Sequence, residues 1–274
     1  MSPWVVFSDL DESLLDRETY RFEEARPALE EIRRRGIPLV LCTSKTAAET
    51  LHFERLLGIS EPFIVESGGG MYVPKGYFPK LTGTVVDRGA HQLIPLAAGR
   101  EKVLAGLGHL KEFTANSIRG FDDMTAEEVA EETGLSLEMA RLAKERDFDE
   151  PFKFVRREEE FAPHLARVAL ERGLRVNRGG RYYHLHGDTD KGYAVEMLKA
   201  HFVRERGPLR TIGIGDSELD FPMLAVVDVP IAVQRRDGTY DPVLTAGVKN
   251  LRRAPGRGPA GWNAGVLEAL GNSS

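Results

Sequence analysis

The chain has 274 residues, 42% of them apolar and 29% charged, enough for one large domain or two moderate ones around a sizeable core. A net charge of −5 and a pI near 5.9 argue against nucleic acid as a main partner. A single cysteine excludes an internal disulfide framework, and no apolar run reaches the ~18 residues of a membrane span.

The first strand, WVVFS at 4–8, is an unbroken apolar run of the kind buried on both faces. Phe22, Ala25, Leu29 and Ile32 then recur at helical spacing, with a basic last turn and Gly36 as a stop. A second strand is expected at 37–42, with Cys42 a small core residue, then a helix at 46–58 and a third strand at 62–66. SGGGMYVPKGYFP (67–79) breaks this rhythm. Beyond it, strands are expected at 84–86, 110–113, 151–155, 174–177 and 181–185. Helices are expected at 91–106, 125–146 (interrupted at Gly134) and 158–172. Thr125 to Glu128, TAEE, is a capping box, and Ser136 is placed to cap the following helix. The α/β rhythm resumes with a helix at 191–204 and strands at 210–216 and 226–233. Residues 251–262, rich in Pro, Gly and Arg, predict an exposed connection.

This order predicts an α/β fold. A doubly wound, mostly parallel sheet at 1–84 and 186–274 is interrupted by an inserted α+β domain at 85–185. With no basic leader before an apolar segment, a cytoplasmic location is expected, as monomer or homodimer.

Ligands of open α/β sheets bind beyond the carboxyl ends of the strands, where the chemistry-bearing residues of this chain gather. Asp9 and Asp11 follow the first strand, and Thr43, Ser44 and Lys45 the second. Ser67, Gly68 and Gly69 follow the third, Lys191 opens a helix, and Asp216 and Asp220 follow TIGIG. Phosphoryl transfer needs such a set. One carboxylate attacks phosphorus, and a second acid protonates the leaving oxygen and later activates water. A hydroxyl and an ammonium hold the phosphoryl oxygens, and a divalent cation offsets the repulsion between carboxylates and a phosphate dianion. The plainer readings are that Asp220 caps a helix and the glycines form a turn. His184 and His186 share one strand face with no third metal ligand nearby, so a hydrogen-bonded polar face is expected there, not zinc.

DLD (9–11), LVLCTSK, Lys191 in DTDKGYAVEML and IGIGDSELDFPML match, in order, the four motifs of the haloacid dehalogenase superfamily of phosphatases, which the chain resembles over nearly its whole length. The insertion is similar to that superfamily's type IIB cap. The resemblance implies Asp9 as nucleophile, Asp11 as general acid/base, and Thr43 and Lys191 as phosphoryl-binding groups. It also implies Mg2+ held by Asp9, the Asp11 carbonyl and Asp216, with Asp220 supporting. CTSKTAAET, ESGGGMYVP, residues 122–152, RGGRYYHL and GPAGW resemble more narrowly the mannosyl-3-phosphoglycerate phosphatases. This implies a phosphorylated sugar or glycosyl-glycerate substrate, with Ser44, Lys45, Ser67, Gly68, Gly69, Arg181, Tyr183 and His184 as substrate-binding candidates. Glucosyl-3-phosphoglycerate, another sugar phosphate such as sucrose 6-phosphate, and an impaired binding protein are the alternatives. Three positions depart from the family pattern. Glu12 stands where glycine is usual and is expected to point away from the phosphate. Ser67 and Leu219 each stand where asparagine is usual, and Leu219 is expected to weaken Mg2+ binding or slow the chemistry.

Overall fold

The computed structural model describes residues 3–179 and 181–271. Its central sheet has five parallel strands: β1 (Trp4–Ser8), β2 (Leu39–Leu41), then, after the insertion, β11 (Arg210–Gly215), β12 (Val229–Gln234) and β13 (Arg252–Arg257). They lie in the order β13-β12-β11-β1-β2. Side chains alternate across β1, so that Trp4 and Val6 enter one apolar layer and Val5 and Phe7 the other. The C-terminal helix Gly258–Gly271 covers the first face, and Lys191–Arg206 covers the second. This is the expected three-layer α/β core. The segment 251–262 differs from expectation: Arg252–Arg257 is the edge strand and the final helix begins at Gly258. Pro255 fits because an edge strand has one row of backbone groups outside the ladder.

β3 (Phe63–Val65) touches the central sheet through a parallel bridge from Ile64 to Cys42 and then turns back. It forms an antiparallel sheet with β4 (Gly70–Pro74), β5 (Val86–Arg88) and β6 (His91–Pro95), ordered β3-β4-β6-β5. The expected boundary at 84/85 lies just ahead of β5; β6 pairs with β4, and β5 pairs with the outer edge of β6. Beyond Pro95 the chain builds a second antiparallel sheet from β7 (Ile118–Gly120), β8 (Asp149–Phe154), β9 (Arg175–Gly179) and β10 (Tyr182–His186), ordered β7-β8-β10-β9. Helices Arg100–Phe113 and Leu165–Leu170 cover one face of it, burying Val103, Leu107, Leu110, Phe152 and Leu185.

Two expectations fail in this region. Residues 91–95 are a strand, because HQLIP pairs with β4; the helix begins only after Gly99, which caps it. Residues 110–113 continue that helix, since Leu110 extends the buried stripe of Val103 and Leu107 at helical spacing. The helices Ala126–Thr133 and Leu137–Ala143 form as expected. Thr125 and Ser136 cap them through hydrogen bonds from Glu128 N and Met139 N, and Gly134 lies between them in the left-handed conformation. Among the described residues, no helix is long and apolar enough to cross a membrane.

Candidate active site

Four elements converge at the carboxyl ends of β1, β2 and β11. Asp9 leaves β1 with its backbone still in register, its N–H donating to the Ile214 carbonyl at 2.9 Å. Beneath it, the indole N–H of Trp262 donates to the Ser8 hydroxyl at 2.8 Å, which donates to the Asp9 carbonyl at 2.7 Å. Asp190 caps the helix Lys191–Arg206 by accepting from Tyr193 N at 2.8 Å, which sets Lys191 at the first helical position. The Lys191 ammonium donates to Asp9 Oδ1 at 2.7 Å and to Asp220 Oδ1 at 2.6 Å, and all three side chains are buried.

Asp220 is fully committed within this network. Its second oxygen accepts from the backbone N–H groups of Asp216 and Ser217 at 3.0 and 3.2 Å, closing the loop after β11. Carboxylate oxygens of Asp9, Asp216 and Asp220 lie within 4.8 Å of one another, the one acidic cluster among the described residues with spacing suited to a metal. Hard oxygen donors of this kind suit Mg2+. Asp9 and Asp216 fit as direct ligands; Asp220, with both oxygens engaged, fits as a support that acts through Lys191 and the loop backbone.

The electrostatics point the same way. Burial, with the Asp220 charge next, raises the Asp9 carboxyl to about 7 against the pull of Lys191. Burial and the charges of Asp220 and Asp9 likewise hold Asp216 well above the usual carboxylate range. Burial disfavours charge on Lys191, yet Asp220 and Asp9 outweigh it and hold the ammonium well above its ordinary value. Three carboxylates around one ammonium leave a negative excess, which a divalent cation would relieve. Cys42 lies under this site, fully buried, its thiol raised by that burial, and it is inert as expected.

Asp11 stands on the exposed side, its carboxylate 2.9 Å from the Lys45 ammonium. Lys45 is buried, lies 3.8 Å from Glu49, and sits 4.9 Å above the Tyr20 ring. Burial disfavours its charge, but Asp11 and Glu49 outweigh that and raise it. Lys45 thus orients Asp11. Thr43 is fully buried at the strand end, its hydroxyl accepting from Lys45 N at 3.2 Å, which leaves the hydroxyl proton free to donate. Ser44 lines a cleft of about 1330 Å³ together with Asp9, Asp11, Lys191 and Asp216.

Glu12 answers the departure at that position. Its φ is 57°, the left-handed region where glycine is usual. Glu12 lines the same cleft, and its side chain pairs with Arg17, which offsets its charge. Ser13 donates to Asp216 Oδ1 at 3.3 Å. Leu219 lines the cleft and reaches Gly179 of β9: a Cβ on Gly179 would lie 3.4 Å from Leu219 Cδ1.

Other expected substrate contacts are distributed differently. Ser67, Gly68 and Gly69 do not line the cleft; they form the joint on which the inserted layer is seated. Gly68 has φ 99°, a Cβ there would collide with the Asp190 carbonyl, and its own carbonyl accepts from Thr189 Oγ1 at 2.9 Å. Gly69 packs against Phe148. The preceding Glu66 is buried, and its carboxylate accepts from the backbone N–H groups of Asp147, Phe148 and Asp149 at 2.8–2.9 Å. In β10, alternation sends His184 to the cleft and Tyr183 to the opposite face, where it stacks on Phe152 and donates to Glu158 at 2.8 Å. Arg181 lines the cleft and donates to the carbonyls of Glu132 and Thr133. Arg17, Arg178, Arg235 and Arg236 join it, each paired with an acid: Glu12, Glu158, Asp241 and Glu18. Sequence reasoning overlooked these four arginines. Arg235 and Arg236 immediately follow β12, so the strand-end rule would have found them.

The sequence profile of haloacid dehalogenase-like hydrolases matches residues 6–80. The chain is 37% identical over 270 residues to a glucosyl-3-phosphoglycerate/mannosyl-3-phosphoglycerate phosphatase of Methanococcoides burtonii, covering 98% of both chains. It is 39% identical over 269 residues to the protein of the same description from Persephonella marina, covering 97% of both. Among solved structures, the sucrose-phosphatase of Synechocystis shares the fold with a TM-score of 0.62 at 15% identity, covering 99% of this chain and 98% of that one. Identity of 37–39% over nearly the full length of both chains settles the relationship: the chain belongs to the haloacid dehalogenase-like phosphatases, in the family of the glucosyl-3-phosphoglycerate/mannosyl-3-phosphoglycerate phosphatases.

Proposed function

We propose that this chain hydrolyses the phosphate ester of an α-glycosyl 3-phosphoglycerate, mannosyl or glucosyl, to the glycosylglycerate and inorganic phosphate. One observation carries the reading: an ammonium held between two buried carboxylates at strand ends, beneath a cleft rimmed with arginine, in a chain similar to such phosphatases along its whole length.

In this reading, Asp9 attacks phosphorus and forms an aspartyl phosphate as the 3-oxygen of the glycerate leaves. Asp11, held outward by Lys45, protonates that oxygen and then takes a proton from the water that hydrolyses the intermediate. Lys191 and the Thr43 hydroxyl bind the phosphoryl oxygens. Asp9, the Asp11 carbonyl and Asp216 would hold Mg2+, which neutralises charge on the transferring group; Asp220 keeps Lys191 and the loop in place. Arg181 and His184 on the cleft wall are candidates for the sugar and glycerate. The single buried cysteine suits a reducing, cytoplasmic setting.

The test is inorganic phosphate release with Mg2+ from mannosyl- and glucosyl-3-phosphoglycerate, sucrose 6-phosphate, mannose 6-phosphate and 3-phosphoglycerate, with Asp9→Asn as control. Preference for a glycosyl phosphoglycerate, abolished in the control, is the expected result. Preference for another phosphate discards the substrate and keeps the chemistry. Absence of all turnover discards both and favours the impaired binding protein.

A further inference from the structure

β10 turns His184 towards the cleft, and behind it the imidazole meets a buried acid that belongs to neither the nucleophile nor the metal cluster. His184 Nδ1 lies 2.9 and 3.2 Å from the two carboxylate oxygens of Asp149 on the neighbouring strand β8. Asp149 is 1% exposed, and Arg146 reaches the same carboxylate at 3.3 Å. Burial disfavours charge on Asp149, but His184 and Arg146 outweigh it and hold the carboxyl down to about 2. An ionised carboxylate can only accept, so Nδ1 carries the proton and Nε2 is the atom offered elsewhere.

The surroundings of Nε2 are equally defined. A Cβ on Gly179 would lie 3.2 Å from both Nε2 and Cδ2, so the missing side chain is what leaves that edge of the ring open. The same point lies 3.4 Å from Leu219 Cδ1, on the loop that carries Asp216 and Asp220. The open nitrogen therefore stands between the inserted sheet and the catalytic loop. Arg146 also donates to the Ser44 carbonyl at 3.4 Å, beside Thr43, which ties the acid–imidazole pair to the strand end of the core.

We infer that His184 receives the carboxylate of the glycerate moiety, the second anion of the substrate, through Nε2, and that Asp149 is the positioning residue behind it. This rests on the substrate class proposed above. A carboxylate behind the ring fixes its orientation and leaves Nε2 turned towards the cleft to meet the anion, as in carboxylate–histidine pairs that orient metal ligands. The pair makes this cleft select phosphate esters that carry a neighbouring carboxylate over those that do not.

The experiment compares kcat and KM of wild type, His184→Gln, Asp149→Asn and the double variant on a glycosyl 3-phosphoglycerate and on p-nitrophenyl phosphate, which has no carboxylate. A lost charge-assisted hydrogen bond predicts that each single variant loses about tenfold more kcat/KM on the carboxylated substrate, mainly through KM, and that the double variant loses no more than His184→Gln. Equal losses on the two substrates, or additive losses in the double variant, overturn the inference. Nitrogen NMR of the wild-type imidazole should report protonated Nδ1; the opposite tautomer also overturns it. Competitive inhibition of p-nitrophenyl phosphate hydrolysis by D-glycerate separates this inference from the substrate reading. Wild type inactive on glycosyl phosphoglycerates removes that reading, whereas D-glycerate that fails to inhibit, or inhibits wild type and His184→Gln equally, removes the role of His184.

Discussion

Replacing Lys191 by methionine keeps most of the stem volume and removes one charge from the most concentrated electrostatic feature of the molecule. The ammonium bridges Asp9 and Asp220 at 2.7 and 2.6 Å, and its side chain is 3% exposed, so water cannot take its place. Deleting one partner of such a buried arrangement costs about 3–5 kcal/mol, because the remaining charges are left without compensation. For a chain of this size, ~2–4 °C per kcal/mol converts that into a melting temperature lowered by roughly 6–20 °C. Thermal and urea unfolding, followed by tryptophan fluorescence in the presence of chelator, would read the loss. Adding Asp220→Asn removes one orphaned charge and should recover about 2 kcal/mol of it. Lys191→Met that unfolds within about 1 kcal/mol of wild type, or a double variant less stable than the single one, would refute the reasoning.

Glu12→Gly removes left-handed strain worth about 1–2 kcal/mol and adds about 1 kcal/mol of chain entropy, so stability should hardly change. KM for the phosphate ester should fall as a negative charge leaves the cleft, and a raised KM would count against this. Gly68→Ala drives a methyl group into the Asp190 carbonyl and should cost about 3 kcal/mol or more, whereas Gly76→Ala, also at positive φ but in open space, should cost about 1 kcal/mol; calorimetry separates the two. Glu54 is raised to about 7 by burial, with Glu61 N its hydrogen-bond donor. The folded chain thus keeps a proton that the unfolded chain loses near 4.5, and wild type forfeits stability as pH rises through about 7. Glu54→Gln should be more stable than wild type above pH ~8, by up to about 3 kcal/mol, and equal to it below pH ~4. Parallel stability curves across that range would contradict the assignment.

The residues legible in advance share one property: each is placed by local pattern. Asp9, Lys191 and Asp216 sit at strand or helix ends that apolar runs and caps define, and their order along the chain carries their meaning. Tyr183 is a substrate candidate through the resemblance of RGGRYYHL, yet period-2 alternation turns it the other way. Asp149, Arg146 and Glu66 gain their importance from partners 35 to 102 residues away, and no spacing announces that. The glycine turn was correctly marked as exceptional, but its reason is the backbone of Asp190 and the ring of Phe148, both brought there only by tertiary packing. β13 escaped notice because Pro, Gly and Arg are compatible with an edge strand and no less so with a loop.

The place of β1 in the central sheet also governs the life of the nascent chain. β11, the partner of β1 along one edge, is synthesised about two hundred residues after it, and Trp262 later still. At ~5–20 residues per second, that edge stays open for roughly 10–40 s while the inserted sheet, with its own apolar cluster, can already condense. The apolar ribbon that ends at Asp9 thus leaves the ribosome well before the strand that shelters it. Holdase chaperones would meet it throughout that interval. A chain cut short before Trp262 would lack the hydrogen-bonded support beneath Asp9.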